Sequence, residues 1–346
     1  MSTLMWKEIL EQPVALERCH VKNAPVIKEI VMAAKGKNIR QVVLAARGTS
    51  DHAAVYGKYV IELLLGIPVS LSASSIFTIY QGNLNFENCM VIGISQSGKA
   101  ADVLEVMRSA RRNGAVTVGI TNNAESEIAH ESEFFLNCEA GLEKSVAATK
   151  TFGTQLFLLA ALAAEWAENK DIQGEIYRLP ERIPQVFGVA DAIDSKVERY
   201  RFMNECFVLA RGINYAISLE AALKIQETTY VRAKAFATSD FQHGPIAMID
   251  RDIPVFIFAP DGPSLKDVTG MIEKMRNEQI ETIVISNRED ILDMGVTSFR
   301  IPDTANDIIS PFFNVIVAQM FACKLSLAKG LNPDSPRGLN KVTVTK

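Results

Sequence analysis

Short apolar runs alternate with longer amphipathic stretches along the chain. QVVLAARG (41–48) is an apolar run ending in glycine, and the helical stretch DHAAVYGKYVIELLLG (51–66) follows it. MVIGISQSG (90–98) repeats the arrangement, and ADVLEVMRSARRNG (101–114) follows with amphipathic spacing before AVTVGITN (115–122). Strand then helix, repeated, predicts an α/β protein whose parallel sheets are flanked by helices, doubly wound in the manner of flavodoxin. Residues 169–200 are charged and punctuated by proline, which predicts a helical connector.

Beyond that connector the pattern begins again. ECFVLARG (205–212) restates QVVLAARG, with Arg211 and Gly212 standing 164 positions after Arg47 and Gly48. At the same offset VFIFAPDG (255–262) falls on VIGISQSG (91–98), and ATSDF (237–241) on ASSIF (73–77). A one-residue gap then brings IVISN (283–287) onto VGITN (118–122). Matched blocks at one offset, in preserved order, indicate a tandem duplication of one α/β unit. The expected division is an N-terminal helical segment (1–24), a first domain (25–168), the connector (169–200), a second domain (201–330) and a C-terminal tail (331–346).

Composition narrows the function classes. A chain of 346 residues exceeds what one core usually organises, and 48% hydrophobic with 22% charged residues supplies ample core material. The formal net charge of −4 gives no general attraction for nucleic acid or an anionic membrane, so an anionic ligand needs a local site. Cys19, Cys89, Cys138, Cys206 and Cys323 lie far apart with no CxxC pair, which reads as reduced cytosolic thiols. The opening MSTLMWKEILEQP has no apolar core of a signal peptide. Leu156–Ala164 is too short to span a membrane, and Phe312–Leu327 is interrupted by Asn314, Gln319 and Lys324; both read as buried helices. A cytoplasmic location and no membrane or nucleic-acid partner are the expectations.

The two copies differ in their polar residues. After the first strand, copy one has Gly48-Thr49-Ser50 and copy two Gly212-Ile213-Asn214; Ser95-Gln96-Ser97-Gly98 faces Ala259-Pro260-Asp261-Gly262. Copy one therefore gathers hydroxyls where two strands run into helices, the place where open parallel sheets hold ligands. Helix N-termini there offer unpaired N–H groups and partial positive charge to a phosphate. A single serine at such a place is commonly a helix cap; two hydroxyl-rich turns at adjacent strand ends favour phosphate binding.

Copy two diverges the other way. In YAISLEAALKIQETTYV (215–231), Glu220, Lys224 and Glu227 share one helical face, where copy one carries Tyr56, Val60 and Leu63. Either these charges form a solvated stripe with a Glu–Lys pair contributing about 0.3–0.5 kcal/mol, or they are covered and costly unless paired or used. Spacing alone leaves both open. His243, in SDFQHGPIAMID, falls on Ile79 of copy one and precedes a Gly-Pro turn. A lone histidine is more often structural than catalytic. His20, His52 and His130 show no metal-ligand spacing, so no metal and no cofactor are expected.

At these residues the chain resembles the sugar isomerase (SIS) domain family, in particular the isomerase half of glucosamine-6-phosphate synthase and SIS-type glucosamine-6-phosphate deaminases. The resemblance runs from about residue 25 to the end and is carried by RGTS (47–50), SQSG (95–98), EKSVAATKTF (143–152), LEAALKIQE (219–227), FQHGP (241–245) and PRGLNKVTVT (336–345). It implies two tandem SIS domains. Thr49, Ser50, Ser95, Gln96, Ser97 and Gly98 would bind the sugar phosphate, and Val146, Ala148 and Asn340 would line the sugar. Glu227 falls on the base that moves a proton between C1 and C2, and His243 on the ring-opening residue contributed across a homodimer interface. Lys224 and Lys341 fall beside the reacting end, with Glu220 in support. The sequence departs from the family pattern at Ala100, which has no threonine hydroxyl, at Ala148 in place of serine, and at Asn340 in place of alanine.

The synthase's glutaminase cysteine has no counterpart near Met1, so ammonia from glutamine is not expected. The leading expectation is deamination of glucosamine 6-phosphate to fructose 6-phosphate and ammonia. Deamination or deglycation of another hexosamine or fructosamine 6-phosphate is the alternative, and a sugar-phosphate-sensing module is the alternative of another class. The sensor has little need for Glu227, Lys224 and His243 together.

Overall fold

The computed structural model describes residues 3–304, 306–339 and 341. The apolar runs become strands with both faces covered, which is why they read as near-continuous hydrophobic stretches rather than alternating ones. Strands β1 (Gln41–Ala45), β2 (Val69–Leu71), β3 (Cys89–Ile94), β4 (Val116–Thr121) and β5 (Phe134–Asn137) form one sheet in the order β2-β1-β3-β4-β5, and every pairing is parallel. Strands β6 (Glu205–Ala210), β7 (Arg232–Ala237), β8 (Val255–Phe258), β9 (Thr282–Ser286) and β10 (Thr297–Arg300) form a second, again all parallel, in the order β10-β9-β8-β6-β7. Read from the other edge, this is the same 2-1-3-4-5 winding. The duplication inferred at an offset of 164 is thus a duplication of topology: Gln41 opens β1 and Glu205 opens β6.

Of the described residues, 11–143, 150–180 and 341 form one compact unit around the first sheet; 3–10, 144–149, 181–304 and 306–339 form the other. These units depart from the expected linear division. The boundary placed after residue 24 falls inside a continuous helix, Gln12–Gly36. The connector is helical, as Lys170–Tyr177, Leu179–Arg182 and Val189–Lys196, but divides between the units after Pro180. Residues 144–149 and the first helix, Leu4–Leu10, belong with the second copy for a physical reason. Buried Glu8 accepts the backbone N–H of Lys144 at 2.5 Å, that of Ser145 at 3.2 Å and the Ser145 hydroxyl. Asp334 accepts the N–H groups of Leu4 and Met5, both at 2.8 Å, and its carbonyl accepts that of Val146 at 3.2 Å. Acceptors at a helix start satisfy donors that the helix itself leaves orphaned.

In the first unit, helix Lys150–Trp166 packs between Gln12–Gly36 and Thr49–Leu65 and is buried along nearly its whole length, which accounts for its apolar sequence. In the second, Ser310–Ala328 packs on Tyr215–Thr229. It is the one described helix long and apolar enough to cross a membrane, and it is mostly buried inside the protein.

Candidate functional site

In a sheet wound 2-1-3-4-5, the chain leaves the carboxyl ends of β1 and β3 toward opposite faces and opens a crevice between them. In the first unit both hydroxyl-rich turns lie there. β1 ends at Ala45 and helix Thr49–Leu65 starts four residues on; β3 ends at Ile94 and runs directly into Ser95-Gln96-Ser97-Gly98. Gly98 has φ +65°, and a Cβ there would stand 2.1 Å from Ser126 Oγ and 2.9 Å from Thr121 Oγ1. Only glycine fits so tight a turn. Its N–H donates to the Ser95 carbonyl at 3.2 Å. Gly98 therefore builds the turn and has no spare donor for a ligand.

The turn borders a cavity of about 440 Å³ lined by Gln96, Ser97, Lys99, Asn122, Asn123, Gly141, Leu142, Glu143 and Lys341. Of the expected phosphate residues, Gln96 and Ser97 reach it. Ser50 and Ser95 are buried and do not line it, nor does half-buried Thr49. Ser50 Oγ is bonded to Gln155 Nε2 at 3.0 Å, so its hydroxyl is engaged within the core. Acids near the turn are restrained: Arg47 Nε holds Asp102 at 2.5 Å, and burial pushes the Asp51 carboxyl up while His52 and Arg47 pull against it.

Lys341 enters this cavity on a carboxylate that the sequence reading passed over. Glu143, whose side chain is fully buried, accepts the Thr151 N–H at 3.2 Å, the Thr151 hydroxyl at 2.9 Å and Lys341 Nζ at 3.2 Å. A buried charge with three donors is paired rather than orphaned. The available signal was an acid at the head of EKSVAATKTF, the motif that also carries Val146 and Ala148. Those two are half-buried and belong to the second unit. Asn340 lies outside the described residues.

The second unit carries the acid–base candidates. Lys224 is fully buried on helix Tyr215–Thr229, with Nζ 2.5 Å from Glu227 Oε2 and 3.4 Å from Glu220 Oε1. Glu220 is also fully buried, whereas the Glu227 side chain is 22% exposed. The face is covered, so the solvated-stripe alternative fails. The first copy shows why: Tyr56 and Val60, the equivalents of Glu220 and Lys224, are wholly buried, and only Leu63, opposite Glu227, is exposed. Duplication kept the packing position and changed its chemistry. Two carboxylates sharing one desolvated ammonium are costly unless used.

His243 is exposed, and among the described residues no hydrogen bond or ion pair joins its ring to this triad. Its copy-one equivalent, Ile79, is likewise exposed. No group of three or more His, Cys, Asp or Glu suited to a metal ion occurs among the described residues.

Two copies of a 2-1-3-4-5 parallel layer, one bearing a hydroxyl turn at its crevice and the other a buried Glu-Lys-Glu helix, define a duplicated doubly wound α/β protein. The chain belongs to the SIS domain family, whose model matches residues 37–165 and 203–329. It is 36% identical over 347 residues to the glutamine–fructose-6-phosphate aminotransferase (isomerizing) of Aquifex aeolicus strain VF5, a match covering 99% of this chain and 57% of that protein. The chain thus spans a little over half the length of such relatives. Among solved structures, the C-terminal domain of glucosamine-fructose-6-phosphate aminotransferase from Francisella tularensis superposes with a TM-score of 0.89 at 25% identity, covering 97% of this chain and 98% of that one. Glucosamine-6-phosphate deaminase from Thermotoga maritima shares the fold, with a TM-score of 0.78 at 22% identity over 99% of this chain and 100% of that one.

Proposed function

We propose that the protein is an aldose–ketose isomerase acting on an amino-sugar phosphate, and that its reaction is deamination of glucosamine 6-phosphate to fructose 6-phosphate. The observation that carries this is the buried Lys224 held between Glu220 and Glu227 where the duplicate helix is apolar. In this reading the SQSG turn takes the phosphate and Glu227, the triad's one partly exposed carboxylate, does the proton transfer. Glu227 removes the C2 proton of the open-chain aldose and returns it to C1, giving a 2-imino sugar through an enolamine. Water adds to C2, and ammonia leaves as the ketone forms. One carboxylate serving first as base and then as acid suits such a 1,2-transfer. Lys224 and Lys341 offset the negative charge that develops on oxygen, and Glu143 fixes the Lys341 ammonium. His243, exposed on its own chain, opens the sugar ring in a second copy of the protein, so the working assembly is a homodimer.

The test is ammonia release from a panel of hexosamine and fructosamine 6-phosphates. Glucosamine 6-phosphate is expected to be turned over, and Glu227→Gln to bind it without turnover, with a loss of at least about 10³-fold. No ammonia from glucosamine 6-phosphate, with release from another member of the panel, would transfer the reading to that sugar. Ligand binding without turnover of any member would leave a sensor.

A further inference from the structure

We infer that the Lys99 ammonium is a ligand of the substrate's phosphate dianion, standing in for the hydroxyl that Ala100 lacks. The inference rests on the phosphate reading of the SQSG turn and adds a residue to it. Lys99 lines the same cavity as Gln96 and Ser97. Its backbone N–H donates to Ser97 Oγ at 3.3 Å, but its ammonium has no hydrogen bond or ion pair among the described residues. The other lysine in the cavity, Lys341, is held on Glu143. A cation with no counter-ion among the described residues, lining a cavity in an acidic protein, is placed to receive an anion.

The helix that follows holds its own acid on other partners. Ala101–Arg112 begins behind Ala100, which is extended and makes no side-chain cap bond, and the acid of its first turn is already engaged. Asp102 Oδ2 is paired with Arg47 Nε at 2.5 Å, and Oδ1 takes the Val103 N–H at 2.9 Å. A hydroxyl turn and an ammonium without a partner among the described residues thus line one cavity, whose own carboxylate, Glu143, is held by Thr151 and Lys341. Exchanging a neutral hydroxyl for an ammonium also changes selectivity: a point charge favours the dianion over the monoanion, where a hydroxyl discriminates little.

Calorimetric titration of the full chain with inorganic phosphate and with glucosamine 6-phosphate tests this. Lys99→Ala is expected to weaken inorganic phosphate about tenfold, the lower end for a hydrogen bond to a charged group. It should also flatten the fall in glucosamine 6-phosphate affinity as pH drops through the ester's second ionisation, at about 6. Lys99→Arg should restore binding to within about threefold. In turnover, KM should rise by about the same factor with kcat retained. If Lys99→Ala binds phosphate like the wild type while Ser97→Ala loses it, the role of Lys99 is refuted and the phosphate reading of the turn survives. If neither substitution alters phosphate binding, both fall together.

Discussion

Replacing Lys224 by methionine separates the two accounts of the Glu220–Lys224–Glu227 helix. Methionine keeps most of the aliphatic stem, so the change removes charge with little loss of volume. On a solvated face it would forfeit an i,i+4 pair contributing about 0.3–0.5 kcal/mol. Here Lys224 and Glu220 are both fully buried, and the ammonium sits 3.4 Å from Glu220 and 2.5 Å from Glu227. Removing one partner of a buried ion pair costs about 3–5 kcal/mol, because the remaining charge loses its compensation without regaining water. That is about two to four powers of ten in the folding equilibrium. The double variant Glu220→Gln/Lys224→Met should recover most of the loss, since a buried pair replaced as a whole is close to neutral. Urea denaturation followed by circular dichroism measures both. A Lys224→Met variant within about 1 kcal/mol of wild type, or a double variant no better than the single, would refute the burial argument. The catalytic prediction is independent of stability: the double variant should fold and yet be inactive.

Four further outcomes can be measured. All five cysteines are buried, and burial pushes the Cys138 thiol up to about 12; an aromatic disulfide reagent at about pH 8 should titrate them only after denaturation. Because the folded thiol ionises later than the unfolded one, its contribution to stability is complete below about pH 9 and fades as pH rises toward about 12, so Cys138→Ala should have a shallower alkaline limb in a denaturation profile. Gly98→Ala should lose phosphate affinity and more than about 2 kcal/mol of stability, from a left-handed alanine and the 2.1 Å approach to Ser126 Oγ; unchanged denaturation would show that the turn can open. Mixing inactive Glu227→Gln and His243→Ala chains should restore roughly one quarter of wild-type activity, since half the dimers are mixed and each has one intact site of two; no recovery after subunit exchange would place both residues on the same chain's substrate.

The fold was legible because it is written in local pattern twice. Strands buried on both faces give unbroken runs such as VVLA and CFVLA, and parallel connections keep the same order, so two copies betray each other at one offset. The triad was half legible. Spacing placed Glu220, Lys224 and Glu227 on one face, but whether that face is wet depends on what covers it, and only the apolar Tyr56 and Val60 of the sister helix gave a hint. What escaped was non-local polarity. Glu143 takes its meaning from Thr151, eight positions on, and Lys341, 198 away; Glu8 from Lys144 and Ser145, 136 and 137 away. No periodicity announces such a pairing, because the chain between the partners is free to be anything that folds. Lys99 escaped for the opposite reason. It lies just beyond SQSG, and a lysine there signals function only once the cavity it lines, and its lack of a partner among the described residues, are known. Pattern therefore located the layers and the turn, while the charges that would give the turn its selectivity had to be found by asking which buried or cavity-lining groups lack or possess a partner.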